Sequence, residues 1–153
     1  MTYIVLLRLD NVALERGDCR LQIGGEMDKE QFKERTQSFA LRVINLVEAL
    51  PKDQTTSQVI GKQLLRSGTS VGANYRAACR AKSTAELITK LNITLEEADE
   101  SLYWMELIVK AKLVDSKLLQ NLMQEANEIV SMLVSSLKTL RSKPKDSRIY
   151  NPN

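Results

Sequence analysis

Histidine is absent from the 153 residues. That omission removes the usual general base of a catalytic triad, the commonest metal ligand, and the Glu-x-x-His pairs from which di-iron helical bundles are made. Cysteine is nearly absent as well. Cys19 and Cys79 stand alone, with no CxxC pair, so neither a zinc site nor a disulfide framework is indicated and a reducing cytoplasm fits. No metal, cofactor or catalytic residue is therefore expected. Long hydrophobic runs are missing too: Tyr3 to Leu7 is closed by Arg8, without a basic leader or a cleavage site, so neither secretion nor membrane spanning is expected.

Aromatics make up 5% of the chain, and only three prolines and six glycines interrupt it. What remains is rich in Leu, Ala, Val, Glu, Lys and Ser, a mixture suited to helices packed through aliphatic seams. At 43% hydrophobic, a chain of this length supports one core and one domain.

The apolar residues fall into helical register from Asp28. Phe32, Thr36, Phe39, Val43, Leu46 and Leu50 form a first seam that Pro51 closes. After the polar "KDQTT", a second seam runs through Ile60, Leu64, Val71, Tyr75 and Ala78. Ser83 or Thr84 offers an N-cap to a third, whose predicted core stripe is Ile88, Leu91, Leu95, Ala98, Leu102, Met105 and Val109. Asp115 or Ser116 caps a fourth, with Leu119, Leu122, Ala126, Ile129, Leu133, Leu137 and Leu140 in a heptad-like stripe ended by Pro144. Four similar helices joined by short loops predict an all-α, antiparallel up-down-up-down bundle over 28–141, with a three-helix bundle and a detached hairpin as the weaker alternative. Residues 1–27 carry no matching seam and read as a disordered or non-native extension, with Met27 as the suspected start, and 142–153 read as a mobile basic tail.

The stretch "SGTSVGAN" fits the G-x-S-x-G pattern around Ser70. A nucleophile elbow needs a strand-to-helix turn and a histidine, so the match is read as a coincidence of composition. "SQVIGKQLL" likewise lacks the first glycine and the Ser/Thr of a phosphate-binding loop. On a helix, Gly61, Leu65, Gly68, Gly72 and Cys79 instead share one row, and Gly61, Gly68 and Gly72 would let another helix approach closely. Ser67, Ser70 and Asn74 take the opposite flank, where they are expected to hydrogen-bond neighbouring backbone or helices.

These strings carry a resemblance. "QLLRSGTSVGANYRAACRAKS", preceded by "FKERTQSFALRVINLVEALP" and followed by "KLNITLEEADESLYWMELI", is similar over roughly residues 30–141 to the four-helix-bundle family of 23S rRNA intervening-sequence proteins. Many relatives have a glutamate where this chain has Ala77, which removes a local partner for Arg76 or Arg80. The resemblance implies a left-handed antiparallel bundle assembled into homopentameric rings, without known enzymatic activity. The family name reflects where some of the genes lie and describes no biochemical activity.

Charge is unevenly placed despite a net of +3. From Thr55 to Lys82 there are five basic residues and no acidic ones; from Thr84 to Lys112 there are six acidic and three basic. Lys62, Arg66, Arg76 and Arg80 fall within an arc of roughly 80° opposite the core stripe of the second helix. One such stripe is ordinarily a solvated face, but repeated around a ring it becomes a candidate nucleic-acid surface with avidity. No aromatic platform interleaves it, so base-specific reading is not expected. Beside the third helix's core stripe runs a second seam, Ile93, Glu97, Glu100, Trp104 and Leu107, read as a subunit interface, the alternative being a wide core face with Trp104 covering the bundle end. In a hairpin turning near Lys82 and Ser83, Arg66 is expected at the level of Glu97 and Glu100. The expected partners are thus further copies of the chain and, through backbone charge, RNA or DNA; the alternative is a purely protein-binding adaptor that contacts no nucleic acid.

Overall fold

The computed structural model describes residues 28–142. They form four helices: α1 (Lys29–Ala49), α2 (Thr55–Ala78), α3 (Thr84–Lys110) and α4 (Ser116–Ser142). Both the N-terminal extension of 1–27 and the tail beyond Ser142 lie outside the described residues.

Local signals start and stop each helix. Asp28 and Gln31 make a reciprocal capping box, with the Asp28 carboxylate accepting from the Gln31 amide at 2.8 Å and the Gln31 side chain accepting from the Asp28 amide at 3.1 Å. Leu50, held extended before Pro51, ends α1. Ser83 caps α3 through the Glu86 amide at 3.1 Å, and Asp115 opens α4 by accepting from the Lys117 amide at 2.9 Å. At the far end of α3 the chain closes in a Schellman motif. The Lys112 amide donates to the Val109 carbonyl at 3.0 Å and the Leu113 amide to the Ile108 carbonyl at 3.1 Å. That geometry puts Lys112 at φ 55°, a left-handed conformation in which a side chain is strained and glycine is not. Lys112→Gly is therefore expected to raise stability by about 0.5–1 kcal/mol, seen as a melting temperature higher by a few degrees.

The helices pack in sequence order as an up-down bundle. Most of each neighbouring contact lies between α2 and α3, α1 and α2, and α3 and α4, while α1 and α4 touch far less. The core of α1 is Phe32, Thr36, Phe39, Val43 and Leu50; that of α2 is Ile60, Leu64, Val71, Tyr75 and Ala78; and that of α4 is the whole predicted stripe with Ser136 added. Leu46 is half-buried. Tyr75 and Phe32 meet edge to face with ring centroids 4.7 Å apart, and the Tyr75 hydroxyl donates to the Lys29 carbonyl at 3.4 Å. Burial pushes the Tyr75 hydroxyl pKa far above its ordinary value, so it is a neutral donor under all ordinary conditions.

On α3 the buried stripe differs from the predicted one. It runs through Leu87, Leu91, Thr94, Ala98, Ser101, Met105 and Ile108, sharing only Leu91, Ala98 and Met105 with the sequence expectation. Ile88, Leu95, Leu102 and Val109 are half-buried at the edge of the core. The reason is local hydrogen bonding: the Thr94 hydroxyl donates to the Lys90 carbonyl at 2.9 Å and the Ser101 hydroxyl to the Glu97 carbonyl at 2.7 Å. Satisfied on their own helix, these small hydroxyl residues are buried without penalty and occupy core positions that look polar in the sequence.

One lateral strut ties α1 to α4. Arg35 donates to Glu125 through Nε at 2.6 Å, forks to Glu128, and lies 3.2 Å from the Met132 sulfur. Charge-assisted bonding to Glu125 raises the Arg35 pKa against the opposing effect of burial. Both Arg35 and Glu125 are mostly buried, so Arg35→Ala is expected to cost about 1–2 kcal/mol, and Glu125→Ala much of the same amount, read from denaturant midpoints of the two single variants and the double.

Candidate functional site

α2 carries the three glycines that the sequence singles out for close packing and three of the four cations that it singles out for charge. Its three glycines face α1. A Cβ placed on Gly68 would lie 2.7 and 2.8 Å from the two Val43 methyls; on Gly61 it would lie 3.2 Å from Leu50 Cδ1; on Gly72, 3.4 Å from the Thr36 carbonyl oxygen. The glycine row is thus the line along which the two backbones approach, and Leu65 and Cys79 of the same row are only partly covered. Burial raises the Cys79 thiol pKa, which leaves it a poor nucleophile.

Ser70 sits in the middle of α2, not at a strand-to-helix turn, and its carbonyl accepts from the Asn74 side-chain amide at 2.9 Å. Nearby, the Ser67 and Ser101 hydroxyl oxygens lie 3.0 Å apart across the α2–α3 contact, both fully buried. No group of three or more His, Cys, Asp or Glu side chains able to hold a metal occurs among the described residues, and no helix there is long and apolar enough to cross a membrane.

Lys62, Arg66 and Arg76 are exposed on α2. Arg80 is exposed too, but it lies past the end of the helix, in a turn whose Arg80 amide donates to the Ala77 carbonyl at 3.0 Å. The helical arc therefore covers three of the four cations, and the turn carries the fourth. Arg66 is engaged: it reaches Glu97 of α3 at 3.5 Å and pairs closely with Glu100. Among the described residues, no carboxylate lies within ion-pair distance of Lys62, Arg76 or Arg80.

The α3 seam lies on the side that meets Arg66. Ile93, Glu97, Glu100, Trp104 and Leu107 are all half-buried within the single chain. The Trp104 indole N–H donates to Glu100 Oε1 at 2.9 Å, and its ring meets that of exposed Tyr103 edge to face at 5.1 Å. The second carboxylate oxygen of Glu97 is buried without a hydrogen-bond partner among the described residues. The Arg66 guanidinium, and after it the Trp104 indole, hold the Glu100 carboxyl below its ordinary range. A depressed carboxyl favours the folded state above the unfolded pKa and loses that contribution as pH falls through the folded value, and here exposure keeps the contribution small. Followed by the NMR shift of the Trp104 indole proton, Glu100 is expected to titrate below the usual value of about 4.3, and Arg66→Gln to move the midpoint upward.

Together with α1 and α4, α2 and α3 define the class of the protein as an all-α, up-down four-helix bundle, with cations exposed along α2. Comparison with known proteins places it further. Residues 28–135 match the family described as 23S rRNA-intervening sequence protein, and the chain belongs to that family. It is similar, at 39% identity and a TM-score of 0.67, to the crystal structure of a protein of unknown function from the S23 ribosomal protein family of Bacteroides thetaiotaomicron VPI-5482; the match covers 72% of this chain and 97% of that one. No curated protein matches the chain.

Proposed function

We infer that the protein is a non-enzymatic scaffold of the cytoplasm: a left-handed bundle, five copies to a ring, that binds nucleic acid or a nucleoprotein partner through backbone charge. The observation that carries this reading is the exposed basic side of α2, where Lys62, Arg66 and Arg76 line the helix and Arg80 extends them into the following turn. One copy presents too few charges to hold a polyanion at physiological salt, and a ring multiplies them through effective concentration. The seam of Ile93, Glu97, Glu100, Trp104 and Leu107 supplies the contact between copies. No cofactor and no small-molecule substrate enter this reading.

The engagement of Arg66 by Glu97 and Glu100 favours a second reading, a protein-binding adaptor, because it leaves three cations in place of four. Salt separates the two. Retention of generic RNA or DNA should fall steeply with salt in the first case, since phosphate contacts release counterions. Replacing Lys62, Arg66, Arg76 and Arg80 by Gln is expected to abolish retention when compared with the parent at matched assembly mass. Unchanged retention would leave protein docking as the function.

A further inference from the structure

We propose that a nucleic-acid backbone is gripped at one end of the bundle, by Arg76, Arg80 and Lys82 around the α2–α3 turn with Lys90 of α3 and Lys29 of α1, and not along the length of α2. The proposal rests on the nucleic-acid reading above and moves its site.

The α2 stripe is broken at its middle. Lys62 and Arg76 stand about 21 Å apart along the helix, and between them Arg66 is already taken by Glu97 and Glu100. Exposed Glu96 lies one helical turn before Glu100, so the α2–α3 border at this level is net negative. A phosphate chain laid along α2 would have to cross that band, where like charges meet. From Ser67 to Leu95 the balance reverses: the chain holds the cations Arg76, Arg80, Lys82 and Lys90 and the single carboxylate Glu86.

The fold gathers these cations at one end. α1 begins there, because the Tyr75 hydroxyl in the last turns of α2 donates to the Lys29 carbonyl at 3.4 Å. The Ser67 and Ser101 hydroxyl oxygens, 3.0 Å apart, set the antiparallel register of α2 on α3; continued toward the turn, that register puts Lys90 level with Ala78, between Arg76 and Arg80. Lys29 therefore flanks the end of α2 on one side and Lys90 on the other, and the turn itself carries Arg80 and Lys82. Among the described residues, no carboxylate lies within ion-pair distance of these five cations. The nearby carboxylates are engaged elsewhere: Asp28 accepts from the Gln31 amide at 2.8 Å, Glu30 pairs with Lys33 at 2.8 Å, and Glu86 accepts from the Lys82 amide at 2.9 Å. Glu34 stands on the side of α1 turned away from α2, about 140° around the helix from Val47, which faces Gly61. With Lys33 included, the cations outnumber the carboxylates at this end even when Glu34 is counted. Local excess decides where a polyanion lands, since screening over about 8 Å at physiological salt removes the influence of distant charge. Tyr75 is fully buried and offers no stacking platform, so the site contacts phosphates without distinguishing bases.

The test compares two triple variants of the full chain that lose equal charge: Lys29→Gln, Lys82→Gln and Lys90→Gln at this end, and Lys62→Gln, Lys112→Gln and Lys117→Gln away from it, all at exposed or half-buried positions. Binding of a mixed-sequence DNA duplex is measured across a salt series, with mass and helicity checked for each protein. The first variant should bind about tenfold or more weakly, with a shallower dependence of log affinity on log salt, and the second should stay within roughly twofold of the parent. Lys29→Arg, Lys82→Arg and Lys90→Arg together should bind like the parent, because the charge is kept. If the first variant binds like the parent, or the second is the weaker binder, the proposal falls. If the two Gln variants weaken binding equally, attraction follows net charge and no site exists at the turn. A parent that fails to bind the duplex even at low salt would overturn the nucleic-acid reading itself, and the site with it. Should the exchange at Lys29 unfold the first turn of α1, Lys82→Gln with Lys90→Gln against Lys62→Gln with Lys117→Gln keeps the comparison at equal charge.

Discussion

Gly68→Leu is expected to be the most destabilising exchange along α2, well beyond Gly61→Ala or Gly72→Ala. The first side-chain carbon at Gly68 would already stand 2.7 and 2.8 Å from the Val43 methyls, closer than real carbon atoms approach. Val43 is itself fully buried and branched, with little room to turn away. Overpacking of this kind costs typically about 1–3 kcal/mol, and leucine adds three more carbons at a site where two backbones meet. The other two glycines behave differently. Gly72 would gain only ordinary contacts, and Gly61 would press on the flexible end of Leu50. For them alanine recovers about 1 kcal/mol of helix propensity, so Gly72→Ala should be neutral or stabilising and Gly61→Ala close to neutral. Denaturant midpoints measured at unchanged slope would rank the three; a Gly68→Leu protein that unfolds with its parent would remove the argument for close helix approach.

The second large effect follows from the proposed assembly of copies. Trp104→Ala with Leu107→Asp leaves Lys62, Arg66, Arg76 and Arg80 in place, yet is expected to lose most retention on RNA or DNA. Truncating an aromatic anchor costs roughly 2 kcal/mol or more, and an unpaired carboxylate at a buried contact adds to it. Once the copies separate, each meets the polyanion with its own few charges, and avidity of the order of 10²-fold or more is gone. Column retention and mass should fall together. Retention that survives in a demonstrated monomer would mean that one bundle binds by itself.

Three of the four helices could be read from apolar spacing because the large aliphatic and aromatic residues that they carry at helical period are the ones that turn inward. Phe32, Phe39 and Val43 on α1, Leu64, Val71 and Tyr75 on α2, and Leu119 to Leu140 on α4 are buried where the period places them. α3 defeats the same reasoning. It carries apolar residues around much of its circumference, from Ile88 and Leu95 to Trp104 and Leu107, so the strongest stripe in the sequence is offset from the buried one. Thr94 and Ser101 are core residues, and only their intrahelical hydrogen bonds reveal it. The Arg66 pairing with Glu97 and Glu100 was legible from hairpin register and opposite charge alone. The Arg35 fork was not, because its partners lie on a helix with which α1 shares no turn, and no local pattern links residues so far apart.

The uneven closure of the bundle has a consequence for the chain as it is being made. α1 leaves the ribosome first and can dock on α2 as soon as that helix follows, because the glycine row asks only for these two backbones. The strut from Arg35 must wait for Glu125, 90 residues later. Until α3 and α4 arrive, the core-facing side of the α1–α2 hairpin lacks its cover, the kind of transiently bare apolar surface that holdase chaperones grip and that neighbouring nascent chains can trap. A polysome carrying many such half-built hairpins would favour early contact between sister chains over contact with strangers.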